Sequence, residues 1–123
     1  MVIDDDENWC FILKMLLKQA GFKKETIAAT NGLEGLKKLQ AICENGGQLP
    51  ELILLDLKMP VMDGFGFLEE LNKAEELDLS HTRIYICSSS IHPKDRQKAA
   101  ESYAVSGYIT KPLTQEILSS ILQ

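Results

Sequence analysis

Two hydrophobic patterns alternate along the chain. Short continuous apolar runs, such as Leu52 to Leu55, are typical of strands that are covered on both faces of a parallel sheet. Between these runs, apolar residues recur every three or four positions, which predicts amphipathic helices. The predicted strands cover residues 1–3, 26–29, 52–55, 84–87 and 107–110. The predicted helices cover residues 7–20, 33–42, 65–71, 93–103 and 114–122. In the first helix, the predicted core-facing stripe consists of Trp9, Ile12, Leu13, Leu16 and Leu17.

The breaks between these elements are the usual helix and turn signals. Gly21 follows the first helix, Asn31 and Gly32 precede the second, and Pro93 suits the first turn of the fourth. Strand and helix therefore alternate five times. This alternation predicts an α/β domain in which a parallel sheet carries helices on both faces. With 123 residues and no linker or internal repeat, the sequence predicts one domain.

Polar residues stand at the ends of four predicted strands. Asp4 and Asp5 follow the first strand, Asp56 the third, Ser88 the fourth and Lys111 the fifth. The carboxyl ends of parallel strands lie at one edge of the sheet, where such folds bind their ligands. We therefore expect these side chains to share one crevice.

The residue types in this crevice suggest phosphoryl chemistry. Clustered carboxylates favour a hard divalent cation such as Mg²⁺. Together with the Lys111 ammonium and the Ser88 hydroxyl, the cation would stabilise the charge on a transferring phosphoryl group. Asp56 is the predicted nucleophile, because it follows a buried strand directly and precedes a loop.

Each of these residues also has a plainer interpretation. The acidic triplet that begins at Asp4 could be a solvated turn or a helix cap, and Ser88 could belong to turn or cap chemistry. Asp56 taken alone could cap a turn with the loop at Asp63 and Gly64. Lys111 taken alone is most simply a surface lysine. His81 and His92 lie in polar stretches without metal-ligand spacing and are interpreted as solvated. The hypothesis depends on the four strand ends acting together.

Composition restricts the classes of partner. The net charge of -5 weighs against direct binding of nucleic acid or of anionic membranes. No signal peptide or membrane span is apparent, so a cytoplasmic location is expected. The three cysteines, Cys10, Cys43 and Cys87, do not form a disulfide framework. Cys10 and Cys87 stand among apolar residues and are predicted to be buried free thiols.

Four segments together resemble the response-regulator receiver domain, the family of the single-domain chemotaxis regulator. The resemblance covers essentially the whole chain, so the predicted domain is residues 1–123. The chain could be a part of a longer protein that was trimmed at both ends. It implies a flavodoxin-like, doubly wound (βα)5 fold with strand order 2-1-3-4-5. The matching segments are VIDDDEN, LILLDLKMPVMDGFGFL, IYICSSS and GYITKPL.

The resemblance also implies a metal site. Asp56 would be the phosphoacceptor. Asp4 and Asp5 would be the acidic pair, and with Asp56 and the backbone carbonyl of Lys58 they would hold Mg²⁺ or Mn²⁺. The acidic pair could instead be slipped by one residue to include Asp6, although the length of the preceding strand favours Asp4 and Asp5.

Further roles follow from the same resemblance. Lys111 and Ser88 would bind the phosphoryl group, Ser88 and Tyr108 would form the switch, and Lys111 and Pro112 would be joined by a cis peptide bond. Counting back from Lys111 without gaps places the switch hydroxyl at Ser89. The end of the apolar strand places it at Ser88, which is preferred.

The implied function is that of a signalling phosphoacceptor rather than an enzyme, with self-phosphorylation and self-dephosphorylation as its only intrinsic reactions. A sensor histidine kinase or a phosphotransfer protein would supply the phosphoryl group, docking near the first helix. Output would be to a protein through the face formed by the fourth helix, fifth strand and fifth helix, in a monomer or weak dimer.

Three alternatives compete with this function. A metal-dependent phosphohydrolase would usually carry a second carboxylate where Lys58 stands. A degenerate scaffold would not need the Asp5, Asp56 and Lys111 set. A flavin binder would need a phosphate-cradling loop where the first strand is followed by acidic residues.

Overall fold

A computed structural model of the chain describes residues 1–122 and confirms the predicted alternation of strand and helix. The strands are β1 (Val2–Ile3), β2 (Ala28–Ala29), β3 (Leu52–Leu55), β4 (Arg83–Ser88) and β5 (Val105–Thr110). The helices are α1 (Glu7–Gln19), α2 (Gly32–Glu44), α3 (Gly64–Lys73), α4 (Pro93–Ala100) and α5 (Gln115–Leu122).

The five strands form one parallel sheet in the order β2-β1-β3-β4-β5, which confirms the predicted flavodoxin-like topology. β1 lies inside the sheet and pairs Val2 with both Ala28 and Leu54. The backbone N–H of Asp56 donates to the Ile3 carbonyl over 2.9 Å. The ends of β1 and β3 are therefore neighbours, although more than fifty residues separate them in sequence.

The two faces of the sheet bury separate apolar clusters. Because successive side chains of a strand point to opposite faces, Leu52 and Leu54 pack with α1 and α5, whereas Ile53 and Leu55 pack with α2 and α3. All four residues of β3 are buried. This explains why its sequence is a continuous apolar run rather than an alternating one.

The buried stripe of α1 differs from the prediction. Leu13 and Leu17 are buried as expected, but Cys10 is buried as well and Ile12 is 44% exposed. Trp9 and Leu16 are only half-buried. The sequence carries two overlapping stripes at helical spacing, and packing on β1, β3 and α5 selects the one through Cys10, Leu13 and Leu17.

Helix α4 ends at Ala100, so the prediction that it reaches residue 103 is wrong. The N–H of Ser102 donates to the Ala99 carbonyl over 3.1 Å, which turns the chain sharply towards β5. β5 then begins at Val105, earlier than predicted. Tyr103 lies in this turn and is fully exposed.

The cysteines and the helix lengths bear on two further predictions. Cys10 and Cys87 are buried free thiols, as predicted, and Cys43 is half-buried. Burial raises the pKa of Cys87 to about 12, so its thiol stays protonated. None of the helices within residues 1–122 combines the length and the apolar character that a bilayer crossing requires.

Candidate functional site

Three carboxylates meet at the carboxyl edge of the sheet. Asp4 follows β1 and Asp56 follows β3, and the pairing of these strands places them side by side. Carboxylate oxygens of Asp4, Asp5 and Asp56 all lie within 4.8 Å of one another. Asp4 and Asp56 are buried, with 2% and 7% exposure, whereas Asp5 is exposed. The cluster therefore opens to solvent on the Asp5 side.

The third acid of the triplet has a different place. The Asp6 carboxylate caps α1 by accepting the backbone N–H of Trp9 over 3.1 Å. The Asp4 carboxylate in turn accepts the N–H of Asp6 over 2.9 Å, which fixes the turn between β1 and α1. The cluster found in residues 1–122 contains Asp4 and Asp5 but not Asp6. This geometry favours Asp4 and Asp5 as the acidic pair.

The side chain of Lys111 reaches this cluster from β5, an edge strand of the sheet. It follows β5, two strands away from β3, and its backbone N–H donates to the Ser88 carbonyl over 2.9 Å. Its Nζ lies 2.7 Å from Asp4 Oδ2 and 3.7 Å from Asp56 Oδ1. The Lys111–Pro112 peptide bond is cis. One ammonium group therefore contacts two of the three carboxylates in the cluster.

The pKa values of Asp56 and Lys111 reflect burial and the excess of carboxylates over ammonium groups at this site. Burial, followed by the negative charge of Asp4, raises the pKa of Asp56 to about 6, and the opposing effect of Lys111 is smaller. Burial lowers the pKa of Lys111, but its hydrogen bond to Asp4 and the charges of Asp4 and Asp56 outweigh this and raise it above its ordinary value. A divalent cation would supply the missing charge, and the donors present are the oxygen ligands that Mg²⁺ prefers. The residues therefore fit a magnesium ion.

The predicted switch residues lie beside this cluster at the end of β4. Ser88 is the last residue of β4 and is 2% exposed, whereas Ser89 is exposed. The Ser88 hydroxyl accepts the N–H of Ser90 over 3.1 Å. The Tyr108 hydroxyl donates to the Ser90 carbonyl over 2.9 Å. Ser88 and Tyr108 are thus linked through the backbone of the same loop.

The loop between Asp56 and α3 approaches the acidic cluster closely. The N–H of Gly64 donates to the Leu57 carbonyl over 2.9 Å, and a Cβ atom at Gly64 would lie 2.4 Å from the Asp56 carbonyl oxygen. Only glycine fits there without moving the loop. Lys58 is exposed in this loop, and Val61 adopts a φ of 69°. The backbone beside Asp56 is therefore held tightly.

Sequence reasoning missed one contact in this region. The Arg96 guanidinium of α4 lies 4.8 Å from the centre of the Tyr108 ring, and it donates to the Thr110 hydroxyl over 2.6 Å. Nothing in the sequence pairs residue 96 with residue 108. His92 and His81 are exposed, as predicted, but the His92 imidazole also caps α4 by accepting the N–H of Lys94.

The fold and the site define a receiver domain of two-component signalling. The sequence model that describes the response regulator receiver domain family matches residues 1–123, and the chain belongs to this family. Receiver domains bind Mg²⁺ through an acidic cluster, and they interact with histidine kinases or phosphotransfer proteins. Asp4, Asp5 and Asp56 form such a cluster here.

Particular relatives differ in length and organism. The chain is 34% identical to the sensor histidine kinase CheAY of Helicobacter pylori over 100% of its own length, but it spans only 14% of that protein. It is 34% identical to the nitrate/nitrite response regulator protein NarL of Escherichia coli, covering 99% of this chain and 51% of NarL.

Solved structures agree on the fold. A two-component response regulator from Cytophaga hutchinsonii has a TM-score of 0.88 and 26% identity, with 98% of this chain and 90% of that chain covered. The chemotaxis protein CheY4 of Vibrio cholerae has a TM-score of 0.78 and 27% identity, with 99% and 92% covered.

Proposed function

We propose that this domain accepts a phosphoryl group on Asp56 from a phosphohistidine of a sensor kinase or phosphotransfer protein. The observation that carries the proposal is the meeting of three strand ends in one crevice. Asp4 and Asp56 stand beside each other, and the Lys111 ammonium lies within 4 Å of both. A buried nucleophile next to a fixed cation suits attack on an anionic donor.

Mg²⁺ or Mn²⁺ would be held by the carboxylates of Asp4, Asp5 and Asp56 and by the backbone carbonyl of Lys58. When bound, the cation would offset the excess negative charge of the cluster and of an incoming phosphoryl group. The raised pKa of Asp56 supports this proposal, since a nearby cation would favour the ionised carboxylate that must act as the nucleophile.

The transfer itself needs no other cofactor. An Asp56 carboxylate oxygen attacks phosphorus, the new O–P bond forms, and the P–N bond of the phosphohistidine breaks. The departing imidazole nitrogen takes a proton from solvent. Lys111 stabilises the phosphoryl oxygens, and the Ser88 hydroxyl donates to one of them. Water later cleaves the acyl phosphate, and this hydrolysis ends the phosphorylated state. The chain therefore acts as a signalling domain whose product is its own phosphorylated form, and not as an enzyme that turns over a substrate.

The response to phosphorylation passes through the loop after β4. When Ser88 turns towards the phosphoryl group, its hydrogen bond to the N–H of Ser90 is lost. The Tyr108 hydroxyl donates to the carbonyl of the same Ser90, so a shift of this loop would break that hydrogen bond and let the ring move inward. The face formed by α4, β5 and α5 then changes, and this face binds a downstream protein or, weakly, a second copy.

The phosphodonor docks on the outer face of α1. Phe11, Ile12 and Met15 are 65%, 44% and 46% exposed, an apolar patch that α1 presents to solvent next to the crevice. Replacing Phe11 and Met15 with Ser should slow transfer from a phosphorylated histidine phosphotransfer protein at least about tenfold. Labelling by acetyl phosphate should be unchanged.

The free buried thiols of Cys10 and Cys87 suit a reducing compartment, and we place this exchange in the cytoplasm.

The test of the phosphoacceptor is intact mass after incubation with acetyl phosphate, with and without Mg²⁺. We expect one phosphoryl adduct that requires Mg²⁺ and is absent from Asp56→Asn. Asp6→Asn is the matched control, because Asn caps a helix as well as Asp does and Asp6 lies outside the cluster.

Three results would contradict the proposal. An adduct that survives in Asp56→Asn would identify another nucleophile. No adduct in the folded, Mg²⁺-loaded protein would leave a scaffold that takes no phosphate. Steady release of phosphate from a small ester would identify a phosphohydrolase.

A further inference from the structure

A broad groove lies between α3 and α4, on a part of the surface that the proposed phosphoryl transfer does not use. Its volume is about 910 Å³, and we call it the α3–α4 groove. Among its lining residues, Leu68, Leu71 and Leu77 are buried and form what we call its floor, and the half-buried ring of Phe65 also lines it. The floor of the groove is therefore apolar and large enough for several side chains of a partner.

The rim of the groove is acidic. Four exposed carboxylates line it, those of Asp63, Glu69, Glu75 and Glu101. In the part of the chain that the structure describes, none of the four forms an ion pair. Four unpaired carboxylates around an apolar floor are complementary to a partner that is both basic and apolar.

Among the described residues that line the groove, one side chain is basic. Lys98 extends from α4 towards α3, and its Nζ lies 4.5 Å from the centre of the Phe65 ring. Its charge is directed at the aromatic face, and it forms no ion pair with the rim within residues 1–122. The net charge of the rim is therefore strongly negative.

A fully exposed aromatic side chain also lines the groove. Tyr103 is 104% exposed, in the turn between α4 and β5, and it lines the groove. Tyrosine offers a large contact area and one hydroxyl, and it is enriched among the residues that dominate interface energetics. Its full exposure means that the domain does not need it for packing.

The groove is separate from the face around Tyr108. Arg96 and Lys98 leave α4 in different directions, since Arg96 lies over Tyr108 of β5 and Lys98 lies over Phe65 of α3. A partner in the α3–α4 groove would therefore contact the opposite side of α4. It would also leave the exposed apolar patch of α1 free.

We propose that the α3–α4 groove binds a basic amphipathic helix of another protein. Its apolar face would cover the leucine floor and contact Tyr103, and its Lys or Arg side chains would meet Glu69 and Glu101 across the groove. Nucleic acid and anionic membranes are unsuitable occupants, because four carboxylates would repel their phosphates. The proposal does not depend on phosphorylation of Asp56.

The probe for this test is a fluorescein-labelled synthetic helix of about 18 residues, long enough to be helical, with Leu at i, i+3, i+4 and i+7 spacing and Lys elsewhere. A second peptide with Glu in place of every Lys keeps the same apolar face. Affinity is measured by fluorescence anisotropy, and the contact surface by amide chemical shifts of the full chain.

Charge reversal distinguishes the groove from the acidic surface at large. Glu69→Lys with Glu101→Lys reverses two rim charges, and Glu25→Lys with Glu116→Lys changes the net charge equally at exposed sites outside the groove. We expect the groove variant to bind the Lys peptide at least about tenfold more weakly, and the control variant to change less than about threefold. Tyr103→Ala should weaken binding severalfold without altering the circular dichroism spectrum.

Several outcomes would overturn the proposal. Equal losses in the two double variants would mean that the peptide senses only overall charge. Equal binding of the Glu peptide, or shifted amides confined to α1 or β5, would place the contact elsewhere. A basic cluster near Phe22, formed by Lys14, Lys18, Lys23 and Lys24, makes a second copy the competing occupant. Self-association that Glu69→Lys with Glu101→Lys abolishes, without peptide binding, would identify that copy instead.

Discussion

Asp56 lies where its own charge is unfavourable to folding. Its carboxylate is buried beside that of Asp4, and Lys111 is nearer to Asp4 than to Asp56. The resulting rise in pKa from 3.8 to about 6 means that the folded state holds the Asp56 proton more tightly than the unfolded state does. Ionisation of Asp56 therefore lowers the free energy of unfolding.

We expect Asp56→Asn to stabilise the metal-free protein at pH 7.5. The difference in pKa corresponds to about 3 kcal/mol at full effect, and we expect about 1–3 kcal/mol because the side chain is coupled to its neighbours. Protonation stabilises the wild type as the pH falls through about 6 towards 4, so the advantage of the variant should shrink over that range. Urea unfolding in EDTA at several pH values measures this. Parallel pH profiles for the two proteins would contradict it.

Val61 carries backbone strain in the loop after Asp56. Its φ of 69° lies in the left-handed region, which costs a β-branched residue about 1–2 kcal/mol, and its side chain is 78% exposed. Val61→Asn should therefore raise the free energy of unfolding by about 1 kcal/mol, because Asn tolerates this region. Val61→Ala should gain less, because Ala lacks the polar side chain that lets Asn hydrogen-bond locally in this region. Thermal unfolding should show the Asn variant about 4 °C higher, and an unchanged midpoint would argue against strain at Val61.

Helix α4 has little support from the core. It has eight residues, and Ala99 is the one buried among them. Two cation–π contacts hold it from opposite sides, Arg96 over Tyr108 and Lys98 over Phe65. Elements with little buried apolar surface open most easily, so α4 can be displaced at low cost. Easy displacement suits a helix that is proposed to move when Asp56 is phosphorylated.

Arg96→Met should loosen α4 and free the Tyr108 ring. The change removes the cation–π contact and the hydrogen bond to Thr110 but keeps a long side chain. We expect amide hydrogen exchange in α4 to rise about threefold, as the loss of an exposed cation–π contact predicts. Lys94→Met is the control, because the Lys94 side chain of α4 has no ion pair within residues 1–122. An equal rise in both variants would show that Arg96 has no special role.

At the scale of the whole molecule, the site joins parts of the chain that are far apart. The β2-β1-β3-β4-β5 order places the ends of β1 and β3 together, and the side chain of Lys111 reaches them from β5. A cation bound there would link the end of β1 to the end of β3 at the centre of the sheet. At a Mg²⁺ concentration ten times the Kd, the gain in stability should be about 1.4 kcal/mol.

Mg²⁺ binding should be visible through Trp9, the single tryptophan of the sequence. Its ring lies 5.6 Å from the Lys111 Nζ, so a change in that ammonium should alter its fluorescence. Below pH about 6 the apparent affinity should fall about tenfold per pH unit, since Asp56 must lose its proton to bind the metal. Asp56→Asn should abolish the titration and Asp6→Asn should retain it. A pH-independent affinity between pH 5 and pH 7 would exclude Asp56 as a ligand.

The sequence by itself determined the elements, their order and the positions of the chemical groups. Leu52 to Leu55 form a strand because a short, continuous apolar run is buried best as a strand covered on both faces of a parallel sheet. The position of Asp56 at the carboxyl end of that strand follows directly. The strand order came from the resemblance, and the pairings agree with it. These features depend on spacing within a few residues, which is visible in the chain.

The tertiary structure decided what depends on contacts between distant residues. It selected Cys10 over Ile12 for the core of α1, because the sheet and α5 choose between two overlapping stripes. It ended α4 at Ala100, since the chain must turn to reach β5. It also placed Arg96 over Tyr108 and raised the pKa of Asp56, because burial and neighbouring charge exist only once the sheet has formed.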